Sequence, residues 1–140
     1  MFLYLDTSSL VKLYVEEDES SIITALVRDS EVTATSIIAY AEARAAFARR
    51  FHEKAFTLAE HSRIKRAFDK DWSNYLILNV TGDMIRLAGD LAEKHYLRGF
   101  DSIHLASALT LRQELSAPIT FSCFDDNLSK AAVVEKLGQD

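Results

Sequence analysis

Four acidic residues in this chain stand where carboxylates do chemistry. Asp6 ends the apolar run Phe2-Leu-Tyr-Leu5, and Glu42 interrupts an Ala/Tyr-rich stretch. Asp101 opens a helical segment just after Gly99, and Asp125, with Asp126 beside it, follows the apolar run Ile119–Phe121. Carboxylates that converge repel one another, because like charges at close range disfavour ionisation. A hard divalent cation removes that penalty. Mg²⁺ suits such a site, binding through a few carboxylates while keeping waters and substrate phosphate. A carboxylate-held metal pair activates water at one ion and stabilises the leaving oxygen at the other, which is the chemistry of phosphodiester hydrolysis. It needs no His, Cys or Lys nucleophile.

Plainer chemistry competes with this. Asp6, Asp101 and Asp125 all stand where helix N-caps belong, a role worth about 1 kcal/mol each. Glu42 does not fit that alternative, since its neighbours from Ile38 to Ala48 are mostly small or apolar and a half-buried acid there needs a partner. Asp6 also follows a first strand and precedes Thr7-Ser8, as the nucleophile of an aspartyl phosphotransferase does. Such enzymes place a second Asp two residues on as general acid, and here that position is Ser8.

The elements that must position these acids are legible as periodicity. Phe2–Leu5 reads as a buried parallel strand, followed by a short helix through Tyr14 that Thr7, Ser8 or Ser9 can cap. A helix over Ser20–Arg28 and a strand over Glu31–Thr35 come next. Two longer helices carry Ile37, Tyr40, Ala41, Ala45, Ala48 and Phe51, then Leu58, His61, Ile64, Phe68 and Trp72, at helical spacing. Tyr75–Val80 predicts a third strand, and Thr81 or Asp83 caps a helix through Ile85, Ala88, Leu91 and Ala92. Gly99 punctuates before a helix over Asp101–Arg112, and a fourth strand covers Ile119–Phe121. A last helix carries Leu128, Ala131 and Ala132. Short apolar strands alternating with helices predict a three-layer α/β/α sandwich with a mainly parallel central sheet of about four to five strands, as one domain over 1–140. In such folds ligands gather at the carboxyl ends of the strands, where the acids are.

Composition sets the remaining bounds. The chain has 140 residues, 49% hydrophobic and 26% charged, with one Pro and four Gly, enough apolar content for a core and little to suggest disorder. Cys123 is the single cysteine, so no internal disulfide forms, as expected of the cytoplasm. No run of about eighteen apolar residues predicts a membrane span, and the short apolar start lacks the basic flank of a signal peptide. The formal charge of −5 argues against nucleic acid at first sight. It is an average, however. Eight Lys/Arg against three acids make residues 43–70 +5 and leave the remainder −10. Arg44, Arg49, Arg50 and Lys54 are candidates for a basic rim that steers an RNA backbone toward the acids, against the alternative of a solvated helical hairpin. His104 reads as a satisfied core histidine, Cys123 as an inert buried thiol, and Tyr40, Phe47, Phe51 and Trp72 as core. His52, His61 and His95 share no metal-ligand spacing.

Four segments in order resemble a known family. Tyr4-Leu-Asp6-Thr-Ser-Ser-Leu-Val-Lys-Leu-Tyr14, Tyr40-Ala-Glu42-Ala-Arg44, Leu97-Arg-Gly-Phe-Asp101-Ser-Ile-His-Leu-Ala106 and Phe121-Ser-Cys-Phe-Asp125-Asp-Asn-Leu128 are similar to the motifs of PIN domains, most closely VapC-type toxin ribonucleases. The resemblance implies a Mg²⁺- or Mn²⁺-dependent endoribonuclease with Asp6, Glu42, Asp101 and Asp125 around the metal. It implies that Ser8 holds a metal-bound water and that Asp126 is an alternative to Asp125. It also implies a cognate antitoxin that inserts a tail into the groove, and a homodimer. Cys123 departs from the family, where Ser or Thr is frequent, and that weakens a hydrogen bond behind the site. A non-catalytic PIN-fold binding module is the other class this resemblance leaves open, although all four acid positions are filled.

Overall fold

Strand β1 (Phe2–Leu5) lies at the centre of the computed structural model, which describes all 140 residues. Leu3, Tyr4 and Leu5 are fully buried, which is why the strand is apolar throughout instead of alternating. It pairs in parallel with β2 (Val32–Ser36) on one side, Phe2 opposite Val32, and with β4 (Ile119–Ser122) on the other, Phe2 opposite Ile119. β3 (Leu76–Leu78) extends the sheet beyond β2, and β5 (Gly138–Gln139) extends it beyond β4. The order β3-β2-β1-β4-β5 is parallel throughout.

The pleat of β1 divides the core in two. Leu3 and Leu5 pack with Leu10 of α1 (Thr7–Val11), Ile23 of α2 (Ser20–Asp29), Ala43 and Phe47 of α3 (Ile38–His52) and Phe68 of α4 (Leu58–Trp72). Tyr4 points the other way and stacks on Phe121, ring centroids 5.5 Å apart, against α5 (Gly82–His95), α6 (Gly99–Leu115) and α7 (Asp126–Val134). Helices on both faces make this the expected three-layer α/β/α sandwich. No helix is long and apolar enough to cross a membrane.

Several expected boundaries move. Helix α1 ends at Val11 and not at Tyr14, because the amides of Lys12, Leu13 and Tyr14 bond to the carbonyls three residues back and tighten the chain into turns. The third strand shrinks to the residues that face β2, and the dipeptide β5 adds a fifth strand. The break before α6 falls on Tyr96, left-handed at φ 57°, so Gly99 starts the helix and Arg98 is its N-cap. Of the expected aromatic core, Phe47 is fully buried, while Tyr40 and Trp72 are half-buried around Phe68. Phe51 leaves the core and stacks on His61 at 4.8 Å.

From β1 the chain winds outward to β2 and β3, then returns to place β4 and β5 on the opposite side. The strand order therefore reverses at β1, and the crevice beyond the carboxyl ends of β1 and β4 is where such sheets bind ligands.

Candidate active site

Asp6 is the first residue after β1 and the N-cap of α1, and it stands at that crevice. Its Oδ1 accepts from the Ser9 amide at 3.0 Å and from the Ser8 hydroxyl at 2.7 Å. Its own amide donates to the Ser122 carbonyl of β4 at 3.1 Å, tying the residue to both central strands. The whole residue is only 4% exposed. Burial pushes its carboxyl pKa up, and the nearby Asp101 charge adds to this, against the opposing pull of His104 and the two hydrogen bonds.

Glu42 reaches the same place from the first turns of α3. Its Oε1 accepts from the Thr7 hydroxyl at 2.6 Å and from His104 Nε2 at 2.9 Å. A carboxylate only accepts, so Nε2 donates to it, and His104 Nδ1 shares a hydrogen bond of 2.8 Å with the Tyr4 hydroxyl. Burial raises the carboxyl of Glu42, but the hydrogen bonds of His104 and Thr7 and the charge of His104 outweigh it and hold the pKa below the usual range. His104 is thus the satisfied core histidine expected, and it also orients a carboxylate of the groove.

Asp101 lies in the first turn of α6, not at the cap, so the capping alternative fails for it. Capping does hold for Asp125, whose Oδ1 accepts from the Leu128 amide at 2.9 Å. Arg98 joins these two acids, Nε to Asp101 Oδ2 at 3.0 Å and a terminal nitrogen to Asp125 Oδ2 at 3.5 Å. Asp6, Glu42, Asp101 and Asp125 line one groove of about 590 Å³. Asp126 is exposed in the first turn of α7 and does not line it. Ser8 lines it, donating to Asp6 and accepting from the Phe124 amide at 3.2 Å.

The basic candidates separate by helical phase. Arg49 lines the groove. Arg50, one residue on, is paired with Glu17 instead. Arg44 lies over the Tyr40 ring beside Lys65 and Arg66, and Lys54 is exposed just past the end of α3. Three lining residues escaped the sequence reading: Arg98, Phe100 and Phe124. Phe100 and Phe124 are 60% and 40% exposed, and each immediately precedes a groove acid. That adjacency is the signal that could have found them.

The donors are all oxygens of carboxylates with a hydroxyl beside them, a set suited to a hard dication and not to zinc. A buried Asp6 raised in pKa partly by Asp101 is the electrostatic strain that a cation would relieve. No three acid, imidazole or thiol groups lie close enough to hold one ion between them. The residue types fit a divalent ion, while Arg98 pairs with Asp101 and Asp125 and His104 with Glu42.

The PIN domain family matches residues 3–134. Ribonuclease VapC45 of Mycobacterium tuberculosis (strain CDC 1551 / Oshkosh) is 36% identical over 108 residues, 77% of this chain and 75% of the relative. In fold, the crystal structure of Mycobacterium tuberculosis VapC20, a sarcin-ricin loop cleaving toxin, superposes with a TM-score of 0.68 at 17% identity, covering 92% of this chain and 94% of that one. A chain in a toxin–antitoxin complex from Klebsiella pneumoniae superposes with a TM-score of 0.56 at 22% identity, covering 86% and 84%. With the matched segment running from β1 through α7 and taking in the groove and all four acids, this chain belongs to the PIN domain family, in its VapC-like branch.

Proposed function

We propose that this chain is a metal-dependent endoribonuclease of a toxin–antitoxin pair, cutting RNA phosphodiester bonds in the cytoplasm with Asp6, Glu42, Asp101 and Asp125. The observation that carries this reading is the convergence of four acids from α1, α3, α6 and α7 on one groove at the reversal of strand order. Its 36%-identical relative, a ribonuclease, agrees with it.

A Mg²⁺ or Mn²⁺ ion held there supplies Lewis-acid stabilisation and an activated water. The chain supplies the rest. Asp6 is fixed by β1, β4 and two hydrogen bonds, and it offers its second oxygen to the groove. Glu42 is oriented by Thr7 and by the His104–Tyr4 relay, and it stays ionised because those bonds favour its charged form. Asp101 and Asp125 complete the ligand set, and Ser8 stands beside Asp6 as a hydroxyl for an ordered water. Arg49 provides a cation for the RNA backbone on the α3 side.

Exposed Phe100 and Phe124 favour unpaired RNA, because splayed bases stack on aromatic rings and paired bases do not. The antitoxin partner follows from likeness to a chain solved within a toxin–antitoxin complex. Incubation with total RNA, with and without EDTA, followed by mapping of new ends, tests the function. Discrete ends in Mg²⁺ that vanish in EDTA and in Asp101→Asn are expected. Cleavage that survives both would overturn the reading.

A further inference from the structure

We propose that Arg98 is a resident cation of the acidic groove, exchanged for the divalent ion and then transferred to the phosphate of the substrate. Arg98 is the N-cap of α6, yet its side chain caps nothing. It reaches instead to Asp101, three residues on, and to Asp125, which arrives from a different element. The oxygens it takes are Oδ2 of both acids. In Asp125 the other oxygen is committed to the α7 cap, so Oδ2 is the one left for a ligand. A guanidinium carries donors only and a full positive charge, so it competes with a metal ion for the lone pairs of these oxygens.

Exposure shows that the contact is exchangeable. The Arg98 side chain is 79% exposed and that of Asp101 17%. A guanidinium so open to solvent contributes little as a brace, because water screens the pair and the long side chain loses freedom in making it. It does lower the repulsion among the groove acids while no metal is bound. Once displaced, Arg98 remains tethered beside exposed Phe100 on the wall of the same groove, where its planar fork matches a phosphate. Metal loading thus turns one residue from a guard of the acids into a binder of the backbone.

This inference rests on the metal site proposed above, and the experiment separates the two. The full chain is stripped with EDTA and titrated with Mn²⁺, free ion being read by its electron paramagnetic resonance signal, for wild type, Arg98→Gln, Arg98→Lys and Asp101→Asn. Loss of the competing charge should tighten Mn²⁺ binding by Arg98→Gln about three- to tenfold. Arg98→Lys should stay near wild type, and Asp101→Asn should bind far more weakly. With saturating Mg²⁺, Arg98→Gln should raise KM for RNA about five- to tenfold while kcat falls less. Equal or weaker Mn²⁺ binding by Arg98→Gln, with wild type binding normally, would make Arg98 a brace and overturn the exchange. Tighter metal binding with unchanged KM would overturn the transfer to phosphate. No binding by wild type at millimolar Mn²⁺ would overturn the metal site and the exchange with it.

Discussion

Replacing Asp6 by Asn should abolish RNA cleavage and yet leave the metal-free protein at least as stable as wild type. Asn keeps an acceptor oxygen for the Ser9 amide and the Ser8 hydroxyl, and Asn and Asp are equal as N-caps. What the change removes is a negative charge in a site 4% exposed, with Asp101 close enough to raise its pKa further. The expected gain is 0 to about 1 kcal/mol. Asp6→Ala removes the charge and the acceptor together. Losing the cap is losing the partner of the Ser9 amide, and it costs about 1–2 kcal/mol. At about 3 °C per kcal/mol for this length, the two variants, which both lose the charge, should differ in Tm by roughly 3–6 °C. Thermal unfolding at pH 7 in EDTA measures it. Added Mg²⁺ at ten times its Kd should stabilise wild type by about 1.4 kcal/mol and neither variant. The pH dependence has a definite sign. Because the folded pKa of Asp6 lies above the unfolded value of about 3.9, the folded state binds more protons in that window and stability falls as pH rises through it. The Asn advantage should therefore be full above the folded pKa, shrink as pH falls below it, and vanish below the unfolded value of about 3.9, where Asp6 is neutral in both states. If Asp6→Asn loses as much stability as Asp6→Ala at every pH, the charge is not strained and the argument for a cation at this site fails.

Asp101→Asn should reduce cleavage about a hundredfold or more, and Asp126→Asn should leave it near wild type, measured as initial rates on one RNA in Mg²⁺. Glu135 is held below the usual carboxyl range by its hydrogen bond to Lys94 and by His95, so its stabilisation is present above about pH 4.3 and lost as pH falls through its folded value. Glu135→Gln should accordingly cost about 0.5–1 kcal/mol at pH 7, discounted because Lys94 is exposed, and nothing near pH 3 in urea titrations. Burial, with the Asp6 charge, pushes the Cys123 thiol up to about 12, so iodoacetamide at pH 8 should leave the folded chain unmodified over hours and label it fully in urea, as read by mass spectrometry.

The parts of the fold that were legible in the sequence are those whose signal is local. β1 announces itself as an unbroken apolar run with Asp6 at its end, and α3 and α4 by apolar spacing sustained over four turns. β5 has no local signal, because Gly138 and Gln139 become a strand only by pairing with β4. Asp6, Asp101 and Asp125 could be named because each follows or opens an element, and Glu42 because it interrupts the small and apolar residues of α3. Arg98 could not, since its tie to Asp125 depends on how α6 and α7 pack. Arg49 and Arg50 look alike in a basic stretch. A rotation of about 100° per residue sends one into the groove and the other to Glu17.

The central place of β1 has a consequence in time. Its neighbour on one side, β2, follows it within about thirty residues, but its other neighbour, β4, pairs Phe2 with Ile119 and is made more than a hundred residues later. Asp125 comes later still. A nascent chain thus carries Asp6 and Glu42 while the acids that complete the groove are still to be made, and pairing so distant in sequence is slow to form. Strand order alone therefore delays the groove until β4 and the start of α7 have been made, and a fragment that stops before them lacks Asp125.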